Sequence, residues 1–219
     1  MNDDLFSEPK IIHWQTHIDQ SGCKTTDITI RDVFRKPSGE LLFALLSATV
    51  KAPENYPIPP IIFIRGDACI IVPVIKNTDT GEERFLTVTQ RRIASGRLSL
   101  EFPAGMLDRN VDDPAGTALK ELEEETGLII SPSELFPLCS RPLYSSPGAS
   151  DEAIWYFGCI IDLSDAECLS LEGRLHGNES EHEYISLSLK TASEIEAETT
   201  SLQVMLGLSL IKKYTTKSH

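Results

Sequence analysis

The sequence is short of several things, and each shortage removes a class of function. Positive charge is scarce: 20 lysines and arginines stand against 33 aspartates and glutamates, a formal net charge of −13. No Lys/Arg-rich run offers a track for a phosphate backbone, and the net field repels one, so no nucleic-acid partner is expected. Long apolar runs are missing too. The longest lies near residues 68–75, far short of the roughly 20 apolar residues a membrane helix needs, so no membrane partner is expected. Cysteine pairs are lacking. Cys23, Cys69, Cys139, Cys159 and Cys168 make an odd count with no Cys-x-x-Cys spacing, which argues against a disulfide framework and a thiolate metal centre. Cys69 and Cys159 fall in apolar stretches and read as small core residues. The start, Met-Asn-Asp-Asp, has neither the basic and apolar segments of a secretory signal nor the arginines of a transit peptide, and the expected location is cytoplasmic.

What is present is ordinary for a globular chain of 219 residues, with 41% hydrophobic and 24% charged residues, enough for one large or two small domains. The first 60 residues read as strands. Residues 27–35 alternate through Ile28, Ile30 and Val33, residues 41–50 are apolar, and Lys36-Pro37-Ser38-Gly39 is the turn between them. Pro53, Pro57, Pro59 and Pro60 make residues 53–60 a connector, because proline cannot donate to a sheet ladder or continue a helix. This places a boundary between an N-terminal β segment, residues 1–58, and a main domain, residues 59–219. In the main domain residues 61–64, 68–75, 84–90, 97–102, 134–143, 152–163 and 184–189 read as strands. Residues 114–126, 191–198 and 201–213 read as helices. Strands dominate and helices sit in the middle and at the end, so the class is α+β.

The informative stretch is Gly105–Leu128, GMLDRNVDDPAGTALKELEEETGL. Pro114 suits a first helical turn and Gly127 a helix end. At about 100° per residue, Ala115, Ala118, Leu119 and Leu122 share one face, and Glu121, Glu124 and Glu125 share its neighbour. Glu121 and Glu125 are four residues apart, so their carboxylates can meet, at a cost of a few tenths of a kcal/mol to the isolated helix. A solvated acidic face is the simplest reading of such a run. The Phe-Pro-Ala-Gly turn ahead of the helix adds the frame that a hard-cation site needs, since Mg²⁺ takes oxygen ligands and keeps several waters.

This stretch resembles the Nudix box, Gly-x5-Glu-x7-Arg-Glu-U-x-Glu-Glu-x-Gly-U with U aliphatic. Lys120-Glu121-Leu122-Glu123-Glu124-Glu125-Thr126-Gly127-Leu128 fills its second half. Lys120 stands where the box has arginine, Asp112 where it has glutamate, and six residues rather than five separate Gly105 from Asp112. Over residues 59–213 the segments Arg65-Gly66-Asp67-Ala68, Thr89-Gln90-Arg91-Arg92, Leu100-Glu101-Phe102-Pro103-Ala104-Gly105 and Ser146-Pro147-Gly148-Ala149-Ser150-Asp151-Glu152 look like the ADP-sugar and ADP-ribose pyrophosphatase branch of that family.

The resemblance implies a Nudix fold, mixed β-sheets between helices, in a homodimer whose N-terminal segment reaches across to the partner. It implies hydrolysis of a nucleotide-sugar substrate of the ADP-ribose or ADP-glucose type to AMP and sugar phosphate, with Mg²⁺, or Mn²⁺ in its place. The metal ligands would be Glu121, Glu124, Glu125 and the carbonyl of Ala104. The base, or a further ligand, would come from the late acidic loop: Glu181 first, Glu179 second, with His182 as another candidate base. Arg92 and Arg65 are candidate phosphate contacts, Arg65 in the partner's site. Glu101 either binds sugar hydroxyls or pairs with a strand neighbour. Ser146 and Gly148 belong to a turn that either shapes the sugar site or is simply a turn. Trp14, Trp155 and Tyr156 are the aromatic candidates for stacking, the last two being in a strand and so more often core. A UDP-sugar substrate and a non-catalytic nucleotide-sugar-binding regulator of the same fold are the alternatives.

Overall fold

The computed structural model describes residues 5–107, 112–176 and 184–217. It divides into two compact units, which are described separately. The first comprises Met1–Ala68, Met106–Pro114 and Pro142–Ile154; the second comprises Cys69–Gly105, Ala115–Arg141 and Trp155–His219.

The first unit opens on a single 3-10 turn, Leu5–Ser7, and helix α1, Pro9–Gln20. This corrects the expectation that the first 60 residues are all strand. Pro9 sits in the first turn of α1, where its missing N–H costs nothing. Ile11, Trp14 and Ile18, at helical spacing, face the core of the unit. Lys10 is buried beside them and donates from Nζ to the carbonyl of Leu42 at 3.0 Å, which meets the demand that a buried charge be hydrogen-bonded. Gly22, with φ of 78°, lies just past the helix. The strands follow as expected: β1 (Lys24–Arg35), β2 (Leu41–Lys51) and β3 (Ile61–Ile64) form an antiparallel sheet in the order β1-β2-β3. Leu41, Ala44, Leu46, Ala48, Val50 and Ile64 close its core.

The second unit carries the larger sheet. Its strands are β4 (Ala68–Asn77), β5 (Glu83–Arg92), β6 (Arg97–Glu101), β7 (Ala104–Met106), β8 (Phe136–Pro137), β10 (Ala153–Leu163), β11 (Leu175–His176) and β12 (Ile185–Lys190), in the order β11-β12-β5-β4-β10-β8 with β6 on β5 and β7 on β4. β9 (Leu143–Tyr144) pairs with the first residues of β10 in the first unit, Tyr144 opposite Ala153. Residues 134–143 are thus not the single strand expected. A 3-10 turn at Pro132–Glu134 and the two-residue strands β8 and β9 take its place. Pro137 lies in β8 and Pro142 just before β9, and neither can donate a main-chain hydrogen bond to a ladder.

Helix α2 spans Pro114–Thr126, and Gly127 behind it adopts φ of 73° as a helix-ending glycine does. Ala118 and Leu122 are fully buried along its apolar face. Helix α3, Asp165–Leu171, was not anticipated, although Ser164 and Glu167 form a capping box at its start. Helices α4 (Ala192–Glu198) and α5 (Leu202–Lys217) close the unit. Among the described residues no helix is long and apolar enough to cross a membrane. All five cysteines are free thiols, and Cys69 and Cys159 are buried as expected.

Candidate active site

The acidic face of α2 meets the Pro-Ala-Gly turn inside the second unit. Glu125 is 5% exposed, and its Oε2 accepts the main-chain N–H of Ala104 at 3.2 Å. Glu121, one turn earlier, presses its carboxyl group against Gly105; a Cβ at residue 105 would overlap the Cγ, Cδ and Oε1 of Glu121. Glycine is therefore required here by contact rather than by backbone angle, since Gly105 is not among the residues with positive φ. Cys69, at the start of β4, reports the electrostatics of the spot. Burial pushes its thiol up to about 12, and the negative charges of Glu121 and Glu125 add to the rise.

Glu124, the third expected acid, points elsewhere: it is exposed and pairs with Lys120 at 2.6 Å, an i,i+4 contact on the outer face. Glu123 is exposed as well. Among the described residues no group of three or more His, Cys, Asp or Glu side chains converges as a metal site. The convergent oxygens are those of Glu121 and Glu125, beside the main chain of Ala104. That donor set fits Mg²⁺, which binds through one or two carboxylates and completes its octahedron with water and substrate phosphates.

Arg92 and Glu101 lie on neighbouring strands β5 and β6 and form a two-point ion pair, Nε to Oε1 at 2.9 Å and Nη2 to Oε2 at 2.6 Å. Glu101 thus has the strand partner foreseen as one of its two readings. Tyr156 is 2% exposed and belongs to the core. Glu179, Glu181 and His182 lie outside the described residues.

In the first unit the residues around Arg65 gather as a group. Arg65 Nε is 2.5 Å from Glu152 Oε1, and its guanidinium lies over the Phe43 ring, 5.6 Å from the centroid. Asp151 accepts the main-chain N–H groups of Arg65 and Gly66. Ser146 opens the exposed turn to Gly148, its carbonyl accepting from Ala149 N at 3.0 Å and Ser150 N at 2.9 Å. A Cβ on Gly148 would meet nothing, so the turn itself does not require glycine there. His13 on α1 approaches Asp67 at 3.6 Å. The Asp67 carboxylate raises the His13 pKa against the opposing effect of burial, and the charges of Asp151 and Asp112 add to the rise. Trp14 is 6% exposed in the apolar core of this unit, which leaves no ring face for stacking on a ligand. Sequence reasoning assigned no role to His13, Asp67, Asp151 or Glu152. Asp67, Asp151 and Glu152 stood inside the informative segments, but only the fold shows what each carboxylate holds.

The chain is similar to several known proteins. The chain is 28% identical over 160 residues to Nudix hydrolase 14, chloroplastic, of Arabidopsis thaliana, covering 70% of this chain and 51% of that one. It is 38% identical over 101 residues to an ADP-sugar pyrophosphatase of Mus musculus, covering 46% of this chain and 44% of that one. The chain thus spans about half the length of these relatives or less. A solved structure titled as an ADP compounds hydrolase shares the fold, with a TM-score of 0.62 at 15% identity, over 90% of this chain and 95% of that one. The family description NUDIX domain matches residues 68–199, more than half of the sequence and inclusive of α2 and the turn before it; the chain belongs to the NUDIX domain family.

Proposed function

We propose that the chain is a Mg²⁺-dependent pyrophosphatase of nucleoside diphosphate sugars, of the ADP-ribose or ADP-glucose type, releasing AMP and sugar phosphate. One observation carries this reading: Glu121 and Glu125, one helical turn apart, both close on the Ala104-Gly105 turn, the first against Gly105 and the second on the Ala104 amide. A hydrolase acting on a dianionic linkage needs such oxygen donors, because the acidic chain cannot attract the substrate by its own charge. Family membership and the resemblance to a protein named ADP-sugar pyrophosphatase support it.

Glu121, Glu125 and the carbonyl of Ala104 would hold the cation, with Glu124 joining only if it leaves Lys120. When bound, the cation supplies Lewis-acid neutralisation of the diphosphate and activates water. The chain's own residues do the rest. The Ala104 amide fixes one carboxylate oxygen of Glu125. Gly105 leaves room for Glu121. Arg92, paired with Glu101, is the candidate contact for phosphate oxygens. Glu181, with Glu179 next, takes the proton of the attacking water. The segment of residues 1–58 serves a homodimer.

Incubation with ADP-ribose, ADP-glucose and UDP-glucose in the presence and absence of Mg²⁺, reading nucleoside monophosphate, tests the proposal. Metal-dependent AMP release is the expected result. No hydrolysis of any of the three overturns it.

A further inference from the structure

Two features of the second unit lie at opposite ends of strand β5. The first is the turn that joins β5 to β6. Across the ladder Arg91 is paired with Leu98 and Arg92 with Arg97. The turn is fixed from within: Gly96, at φ of 66°, donates its N–H to the carbonyl of Arg92 at 2.8 Å, and Arg91 Nη1 donates to the carbonyl of Gly96 at 2.8 Å. On this stiff turn Ile93 is wholly exposed, at 101%, and Leu98 is 62% exposed. Turns favour Gly, Pro, Asn, Asp and Ser for their backbone geometry, and an isoleucine contributes nothing to it. Residues 84–100 hold no acid, and Arg91 and Arg97 flank the tip. In a chain of net charge −13 this end is an apolar point between cations.

The second feature is a cavity of about 220 Å³ where β5 begins, lined from β4, β5, β12 and helix α3. Ile75 and Leu189 are buried in its wall, and Leu169, 67% exposed, stands at its edge. Glu82, Asp165 and Glu172 are exposed around it, and Arg84 offsets one of their charges. Two of these carboxylates are held in place. Asp165 Oδ1 accepts from Asn77 Nδ2 at 2.9 Å, and Glu172 Oε1 accepts the Leu189 N–H at 2.9 Å. The volume falls below the roughly 300–1,000 Å³ of small-molecule sites and suits a single aliphatic side chain. Apolar walls with a net acidic surround fit an apolar group carried between cations.

The hairpin tip has that character, yet it cannot reach the cavity of its own chain. From Arg84, in the cavity wall, to Ile93 is nine positions of strand, about 30 Å at roughly 3.3 Å per residue. Ladders to β4, β6 and β12 keep β5 extended. We propose that the Ile93 tip of one copy docks in the α3 cavity of a second copy, with Arg91 and Arg97 against the acids around it. The two surfaces differ, so the contact is heterologous: it runs head to tail and either closes into a ring or propagates. One side chain in one small cavity buries far less than the ~1,200–2,000 Å² of a stable interface, so the association is weak and depends on concentration. The proposal does not rest on the pyrophosphatase reading and is separate from the dimer role given to residues 1–58.

The test is sedimentation equilibrium of the full chain from about 10 μM to about 0.5 mM, the range of a weak contact. An ionic strength of about 0.15 M screens the long-range repulsion between acidic chains. The wild type is expected to gain weight-average mass across that range. I93D, which spoils the tip, and L169E, which spoils the cavity edge, are each expected to hold a constant mass. Both positions are exposed, so their thermal melts are expected to match the wild type. An equimolar mixture of I93D and L169E is expected to gain mass again, because the first keeps a cavity and the second keeps a tip. A tip-to-tip contact predicts no such gain, and a mixture of constant mass overturns the proposal. So does a wild type of constant mass, or I93D that gains mass as the wild type does. If L169E melts low, E82K takes its place in the mixture. A wild type of constant mass that co-sediments with phosphatidylserine vesicles through Ile93 assigns the tip to a membrane surface and overturns the proposal as well.

Discussion

The carboxyl group of Glu121 occupies the space that a side chain on Gly105 would fill. The two residues are sixteen positions apart, one in the turn at β7 and one in the second turn of α2. Gly105→Ala must therefore push Glu121 aside. The displaced group is a flexible side chain, so the fold yields at modest cost while the carboxylate leaves its place. We expect turnover to fall at least about tenfold, within the range of lost ligand-supporting contacts, and the apparent Mg²⁺ requirement to rise, with little change in the thermal melt. Activity titrated against Mg²⁺, alongside calorimetry, checks this.

Glu125→Gln retains an oxygen to accept the Ala104 amide, so folding is expected to survive. It removes the negative charge, so turnover is expected to vanish. Comparison of AMP release with the melting temperatures of the two proteins separates these effects, and undiminished AMP release refutes the assignment of Glu125.

Glu181→Gln is expected to slow turnover at least about tenfold, the scale for loss of a general base. Unchanged rates would move that role to Glu179 or His182.

His13 makes stability depend on pH. Its pKa is raised in the folded protein, chiefly by the neighbouring Asp67 carboxylate, so the folded state binds its proton more tightly than the unfolded chain does. That contribution is fully present below the unfolded value near 6.5 and is lost as pH climbs through the raised value. The groups that set it are Asp67, Asp151 and Asp112, and the ring of His17 lies 4.2 Å away. Melting temperatures are expected to decline from about pH 6 to about pH 8, and His13→Gln is expected to flatten that decline. An equal slope in the variant would remove His13 as its source.

Cys69 and Cys159 are pushed up to about 12 by burial, so neither is a thiolate near neutrality. A maleimide pulse at about pH 7.5 is expected to spare both in the folded protein and label both after denaturation, as read by peptide mass. Labelling of Cys69 in the native state would show that β4 opens beside the glutamates.

Much of the second unit was legible because its signals are local. Helix α2 begins at a proline, ends at a left-handed glycine and carries an apolar stripe, so its span, 114–126, is the one expected. In the first unit, strand β3 also falls on the expected residues 61–64. Helix α1 was obscured because Ile11 and Ile12 favour strands, although the spacing of Ile11, Trp14 and Ile18 is helical. At α3 the signal, Ser164 with Glu167, was present but competed with the apolar run of the strand before it.

By itself the sequence determined the composition of the site: the run of acids, the glycine before it and the repeat that puts Glu121 and Glu125 one turn apart, since helical periodicity is a local property of the chain. Only the tertiary structure decided which acids are used inward. Glu125 is buried on the Ala104 amide while Glu124 turns out to Lys120, because the side of α2 that closes on the turn is chosen by packing. It also decided that Arg65, Asp151 and Glu152, separated by more than 80 residues of chain, form one cluster, since contacts between distant segments arise only when the sheets and turns that carry them have assembled.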